Sequence, residues 1–325
     1  MNNLLPPIKK TNNINVLVVG AFANPYSTNL GLADGFEQLD AVHCVKKYDY
    51  RTRINKGRHT LLHNDLTTLA NCVDLMVICK GGGIPTNTIK VCSTKTKTYL
   101  WFMDWWPQVL KTKPVLEYSP YCHYRSATGY GTAMEWQNNI NLPVYHILDG
   151  VDPNRMFPME KTRKIFDVCF VGQKDSEREI IEKHLIKSGF KVHFAGPKFT
   201  KYMNLDECCE LFNKSKIVLN ISRGNIEGYS SVRLWSCLST GACVLTKKIP
   251  NMTNTMNLKN GVHIDEFGSM VELVDKVNYY LKNEDKRNEL GNNAREFVLN
   301  NRTWKHVAGE ILNLTKSKPS KLNKI

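Results

Sequence analysis

Arg233 opens the run Arg233-Leu-Trp-Ser-Cys-Leu-Ser-Thr-Gly-Ala242, directly after the turn residues Gly228-Tyr-Ser-Ser231. An arginine at the start of a helix suits a phosphate group. Its guanidinium forks onto two oxygens, and the free N–H groups of the first helical turn add partial positive charge. Tyr229, Ser230 and Ser231 offer hydroxyls and amides beside it, and Ser236 lies one turn further on. Gly172, Lys174 and Arg178 form a second set of the same kind, where a short apolar run ends in glycine. In the first half, Asp104 stands in Trp101-Phe-Met-Asp-Trp-Trp106. A carboxylate among aromatic rings can bind hydroxyl groups or accept a proton from one. Ala21 and Asn24 belong to a loop after another strand–glycine ending, and Gly82 lies in Gly81-Gly-Gly83. With Trp105 and Arg125 they complete the candidate ligand contacts of that half. Arg125 and its neighbouring tyrosines suit phosphate and base contacts.

Several chemistries are excluded or disfavoured. There is no Gly-x-Gly-x-x-Gly, which disfavours a nicotinamide-dependent dehydrogenase. Asp104 is not part of an Asp-x-Asp pair, so no metal ligand set is expected. Negative charge developing on a substrate would then fall on Arg, Lys and helix amides. Plainer roles stay open for each residue. Arg233 could cap a turn, Arg178 and Lys174 could be solvated first-turn charges, and Asp104 an N-cap. The glycines could serve tight turns, the tryptophans a core, and the segment around His123 to Gly131 an ordinary connection.

The elements that must hold these residues alternate between strand and helix. Asn15–Gly20 is a short apolar run ending in glycine, as in a buried parallel strand. A helical pattern follows over about residues 29–39, then strands at Ala41–Val45, Asp74–Cys79 and Thr98–Phe102, and a last one at Pro143–Leu148. A helix is expected over Leu66–Ala70. The pattern restarts at Phe166–Gly172. Strands at Lys191–Gly196, Ile217–Ile221 and Ala242–Thr246 alternate with helices at Ser176–Lys187, Leu205–Asn213 and Val232–Ser239. Ser176 and Glu179, and Ser269 and Glu272, have capping-box spacing. Leu273, Val274, Val277 and Leu281 recur with helical period, and helices are expected over Asp285–Asn300 and Trp304–Thr315. The two strand–glycine openings imply two parallel α/β, Rossmann-like domains. Their expected bounds are residues 1–157 and 158–303, with a C-terminal helix and basic tail over 304–325.

The chain has 325 residues, 42% hydrophobic and 23% charged, enough apolar material for two cores. Its formal charge of +14 favours polyanionic partners such as nucleic acid or anionic lipid headgroups. Ten cysteines form no Cys-x-x-Cys and read as reduced, packed side chains. No signal-peptide core or membrane-spanning run is evident, so a cytoplasmic location is expected.

The C-terminal half resembles the group-1 type of GT-B-fold glycosyltransferases, in the branch with spore-maturation-like and phage-encoded enzymes. The resemblance rests on Phe170-Val-Gly172 with Arg178, on Phe212-Asn-Lys-Ser-Lys-Ile-Val-Leu-Asn-Ile221, and on Arg233 through Ala242. Leu281–Arg287, Gly291 and Thr303-Trp304 continue it, so that it spans about residues 165–305. The first half matches more loosely, through Asp74 to Gly81, Asp104 and the stretch from Gly150 to Pro158. The resemblance implies an interdomain cleft and metal-independent transfer of a sugar from a nucleotide-sugar, a UDP-sugar, with anomeric configuration retained. The nucleotide-sugar is a co-substrate, and no cofactor is implied. Gly172, Lys174, Arg178, Tyr229, Ser230, Ser231 and Ser236 would face the donor, with Arg233 on its diphosphate. Asp104 resembles the His-Asp site of phage DNA glucosyltransferases, with Met103 where their His would be. That points to a hydroxymethylated base in double-stranded DNA as acceptor and, for a phage-encoded enzyme, to the host cytoplasm. A cell-envelope glycan or lipid acceptor, or a non-catalytic binding protein, remains the alternative. Ser236 departs from the family's usual Glu, which is expected to hold the donor's ribose.

Overall fold

The computed structural model describes residues 13–24, 27–104 and 113–317. They form two compact units. The first takes the described residues up to Leu148 together with those from Trp304 onward, and the second is Asp149–Thr303.

The first unit is a six-stranded parallel sheet. Its strands are β1 (Ile14–Gly20), β2 (Val42–Asp49), β3 (Leu75–Cys79), β4 (Lys97–Phe102), β5 (Tyr124–Ala127) and β6 (Tyr145–His146), in the order β2-β1-β3-β4-β5-β6. The central strands are apolar because helices cover both faces: Val16 to Val19 and Met76 to Ile78 have no exposed surface. β2 is an edge strand. It runs on through Lys46 and Lys47 to Asp49, further than its apolar residues alone indicate.

Helices α1 (Thr28–Glu37), α2 (Tyr50–Asn55), α3 (His59–Ala70), α4 (Thr86–Ser93), α5 (Lys113–Tyr118) and α6 (Tyr130–Ile140) connect the strands. β5 corrects the reading of residues 123–125 as an irregular connection: Tyr124, Arg125, Ser126 and Ala127 are all buried and pair with β4.

The second unit contains β7 (Phe166–Val171), α7 (Ser176–Lys187), β8 (Val192–Ala195), α8 (Leu205–Asn213) and β9 (Ser215–Asn220). It continues with α9 (Val232–Ser239), β10 (Cys243–Lys247), α10 (Met252–Met256), β11 (Asp265–Phe267), α11 (Met270–Lys282) and α12 (Glu284–Asn301). Its five strands are parallel in the order β11-β10-β9-β7-β8. The cap of α7 differs from the expected one: Asp175, not Ser176, accepts the Arg178 N–H at 3.0 Å. Ser269 does cap α11, accepting from Glu272 N at 3.2 Å.

Two boundaries differ from the sequence reading, each for a physical reason. The second unit begins before residue 158 because residues 156–159 bond into it. Met156 O accepts from Ser239 Oγ at 2.6 Å, Phe157 O from Asn213 Nδ2 at 2.9 Å, and Met159 N donates to Asn213 Oδ1 at 2.7 Å. The last helix, α13 (Trp304–Leu314), joins the first unit, where it lies on α1. Trp304 takes the space left by two glycines: a Cβ on Gly31 would come within 2.3 Å of its indole nitrogen, and one on Gly35 within 2.2 Å of its carbonyl oxygen. Trp304 also meets Trp101 edge to face at 6.1 Å.

Candidate active site

In a doubly wound sheet, ligands bind beyond the C-terminal ends of strands, where the strand order changes direction. In the second unit that point falls between β7 and β9, because β7 pairs with both β8 and β9. The loops concerned are residues 172–175 and 221–231, and both candidate arginines reach this place.

Arg178, on the first turn of α7, donates from Nη1 to Gln173 O at 2.7 Å and from Nη2 to Ile221 O at 2.6 Å. Arg233, on the first turn of α9, donates from Nη2 to the same Ile221 O at 3.0 Å and to Asn220 Oδ1 at 3.3 Å. The two guanidinium carbons lie 5.0 and 4.8 Å from the Phe170 ring centroid, in cation–π range. Arg178 has Asp175 as an ion-pair partner at 3.3 Å, whereas no carboxylate pairs with Arg233 among the described residues. Burial, with Arg178 close by, pushes Arg233 down to about 10. Burial also lowers Arg178, with Asp175 opposing it. The Nε atoms of both arginines are buried without a hydrogen-bond partner among the described residues.

The backbone leaves room for these groups. A Cβ on Gly172 would sit 2.8 Å from Arg233 Nη1 and 2.7 Å from the Phe170 ring. Gly196, at φ +112°, lets the loop after β8 press on Gly172, whose carbonyl oxygen a Cβ there would meet at 2.5 Å. Ser231 is the N-cap residue of α9, yet its hydroxyl makes no cap bond and is buried without a partner. Ser230 is committed: its Oγ accepts from Asn220 Nδ2 at 3.2 Å and lies 3.3 Å from Ser222 Oγ. Tyr229 lines a small open hollow with Ser222, Gly224, Lys247, Ile249 and Pro250. Lys174 is drawn to Glu179, 3.3 Å away, and lies over Phe199. Ser236 is buried and donates to Val232 O within its own helix at 3.2 Å.

The first unit has its own change of strand order, between β1 and β3. Ala21 and Asn24 follow β1, Gly82 follows β3, and Asp104 follows β4. Ala21 O accepts from Asn29 Nδ2 at 3.1 Å, Asn24 is exposed, and Gly82 meets the Tyr50 hydroxyl through its backbone. Asp104 Oδ2 forms an ion pair with Lys80 Nζ at 2.6 Å, a partner that the sequence reading did not pick out. Trp105 lies outside the described residues. Arg125 is not acceptor-facing. It has no exposed surface, and its guanidinium is spent on the carbonyls of Ser119 at 2.7 Å, Pro143 at 3.3 Å and Cys122. Among the described residues no three His, Cys, Asp or Glu side chains gather as a metal site. No described helix is long and apolar enough to cross a membrane.

Two parallel α/β units, each with polar side chains at its change of strand order, define the GT-B architecture. Residues 175–313 match the family model described as glycosyl transferase-like. No curated protein matches the sequence significantly. Solved structures agree in fold over nearly the whole chain. An alpha-glucosyltransferase in complex with UDP and a 13-mer DNA is 9% identical, with a TM-score of 0.66, covering 94% of this chain and 100% of its own. Anabaena HepE in complex with UDP and glucose is 12% identical, with a TM-score of 0.64 and coverage of 94% and 100%. A Rickettsia africae glycosyltransferase is 10% identical, with a TM-score of 0.63 and coverage of 94% and 98%. The chain has the GT-B fold, and its residues 175–313 resemble the glycosyl transferase-like family.

Proposed function

We propose that the protein transfers a sugar from a UDP-sugar to a hydroxyl of a polyanionic acceptor, a hydroxymethylated base in double-stranded DNA, with retention at the anomeric carbon and without a divalent metal. One observation carries the donor half: Arg233 and Arg178 converge on one carbonyl oxygen at a change of strand order, and no carboxylate pairs with Arg233 among the described residues. As the C1–oxygen bond of the donor breaks, charge accumulates on the departing diphosphate. Arg233, Arg178 and the N–H groups at the start of α9 are suited to meet it. The acceptor oxygen bonds to C1 as that bond breaks, and its proton passes to the Asp104 carboxylate. The donor reading is supported by the UDP held by HepE and by the alpha-glucosyltransferase. The acceptor reading is supported by the DNA bound to the latter and by this chain's +14 charge. Retention rests on the group-1 resemblance.

The test is transfer from a panel of UDP-sugars to a duplex containing 5-hydroxymethylcytosine, read by mass spectrometry with EDTA present. Product with wild type and its loss in Arg233→Ala is the expected result. No turnover of any UDP-sugar, or full activity in Arg233→Ala, would defeat the donor assignment. Product only on glycan or lipid acceptors would defeat the DNA assignment.

A further inference from the structure

Lys80 is the residue after β3, and its backbone lies in the left-handed region at φ +61°. That conformation disfavours any residue with a Cβ and favours glycine. It is fixed from three sides. Lys80 N donates to Trp101 O at 2.9 Å, Tyr118 OH donates to Lys80 O at 2.8 Å, and Gly81 N closes onto Cys79 O at 2.7 Å. The next residue, Gly81, has φ +68°, and a Cβ there would come within 2.2 Å of the Tyr118 hydroxyl. The chain supplies glycine at 81, 82 and 83, yet keeps lysine at 80. A non-glycine residue held in this conformation at the C-terminal end of a central strand points to a use for its side chain. The ion pair from Nζ to Asp104 Oδ2, at 2.6 Å, is that use. It links the ends of β3 and β4 across the sheet. The preceding residue is tied as well: Thr28 Oγ1, at the start of α1, donates to Met103 Sδ at 3.2 Å.

We infer that Lys80 is a positioning residue for the transfer reaction: it grips one oxygen of Asp104 and leaves the other aimed at the acceptor hydroxyl. The inference rests on Asp104 as the proton acceptor. Its left-handed backbone is what carries the ammonium group from the β3 loop to the β4 loop.

The strained backbone provides a clean test, because Lys80→Gly deletes the side chain while easing the conformation. The probe is release of UDP and formation of product from the UDP-sugar that wild type uses, with purified full-length protein. Lys80→Gly should melt no lower than wild type, lose about tenfold or more in kcat, and keep the KM for UDP-sugar within about twofold, as expected of a displaced catalytic group. Ethylammonium should restore part of the kcat of Lys80→Gly, and Lys80→Arg should retain more activity than Lys80→Met. Asp104→Asn should be inactive and insensitive to ethylammonium. Wild-type kcat in Lys80→Gly, beside an inactive Asp104→Asn, overturns the role of Lys80 alone. A Lys80→Gly variant that melts lower and gains nothing from ethylammonium also overturns it. An active Asp104→Asn removes the proton-acceptor reading, and the role of Lys80 with it.

Discussion

Replacing Arg233 by methionine should leave the unliganded protein as stable as wild type or more so, while removing its response to UDP. Burial beside Arg178 pushes Arg233 down to about 10, against an ordinary guanidinium value above 12. At about 1.4 kcal/mol per tenfold change in proton affinity, holding this charge costs up to about 3 kcal/mol. That cost is present in full below pH about 10 and lifts only as pH rises toward the ordinary value. Against it stand two hydrogen bonds, to Asn220 Oδ1 at 3.3 Å and Ile221 O at 3.0 Å, together about 2 kcal/mol. Ile221 O keeps its bond from Arg178, so only the Asn220 oxygen loses its partner. Methionine fills similar volume and keeps an apolar contact with Phe170. The balance is a change of about 0 to +2 kcal/mol, or a melting temperature higher by roughly 0–6 °C. Wild type at UDP a hundredfold above Kd should gain about 2.7 kcal/mol, and Arg233→Met should gain almost none. Urea unfolding with and without UDP measures both. A variant destabilised by 2 kcal/mol or more that still responds to UDP would show that Arg233 serves the fold, and the reasoning would fail.

Gly35→Ala should destabilise the first unit by about 2 kcal/mol despite alanine's better helix propensity, because its methyl group would lie 2.2 Å from the Trp304 carbonyl oxygen. A urea midpoint matching wild type would show that α13 can move off α1 at little cost. His123 gives that unit an acid limit. Burial, with Arg125 and Lys97 nearby, lowers its pKa, and Nδ1 accepts the Thr98 N–H at 3.1 Å, which requires an unprotonated nitrogen. Its contribution is complete above the ordinary value of about 6.5 and is lost, to the extent of about 1 kcal/mol, as pH falls through the lowered folded value. Unfolding measured from pH 7.5 down to 5 should show this step in wild type and not in His123→Asn; the same step in both would reassign it.

The parts of the fold legible in the sequence are those fixed by apolar runs. β1, β3, β4, β7 and β9 are continuous hydrophobic stretches because both sheet faces are covered. β5 was hidden by the polar content of Tyr-Arg-Ser-Ala. Arg125 could enter the core only because carbonyls from Ser119, Cys122 and Pro143 converge on it, and nothing local in the sequence announces that. β6, two residues long, falls inside the strand expected over Pro143–Leu148, which the structure shortens. The helical period of residues 304–314 was visible, but not the unit it would join. The available signal was the small pair Gly31 and Gly35, one helical turn apart, which admits the Trp304 ring and backbone. In the site, Arg178 and Arg233 could each be picked out as residues opening helices. Their meeting at Ile221 follows from the pairing of β7 with β9, and Lys80 was missed because ion pairs across strand ends leave no mark in local spacing.

The electrostatics of the two units differ in a way that bears on which substrate each one takes. After β3 and β4 the cation is matched: Lys80 meets Asp104 at 2.6 Å, so an incoming dianion would have to compete with a carboxylate. After β7 and β9 much of the rim is matched too, with Arg223 on Asp175 at 3.2 Å, Lys174 on Glu179 at 3.3 Å and Lys247 on Glu177 at 2.5 Å. Arg233 is the exception, half-buried beside another arginine and bonded only to neutral oxygens. A partly buried cation without a counter-ion is unfavourable until an anion arrives, and the interaction then gains from the low local dielectric. A diphosphate supplies that anion, whereas a neutral sugar or an acceptor hydroxyl does not. On this ground the function proposed above assigns the donor's phosphates to Arg233 in the second unit. It assigns the acceptor's proton to Asp104, whose charge Lys80 balances at 2.6 Å.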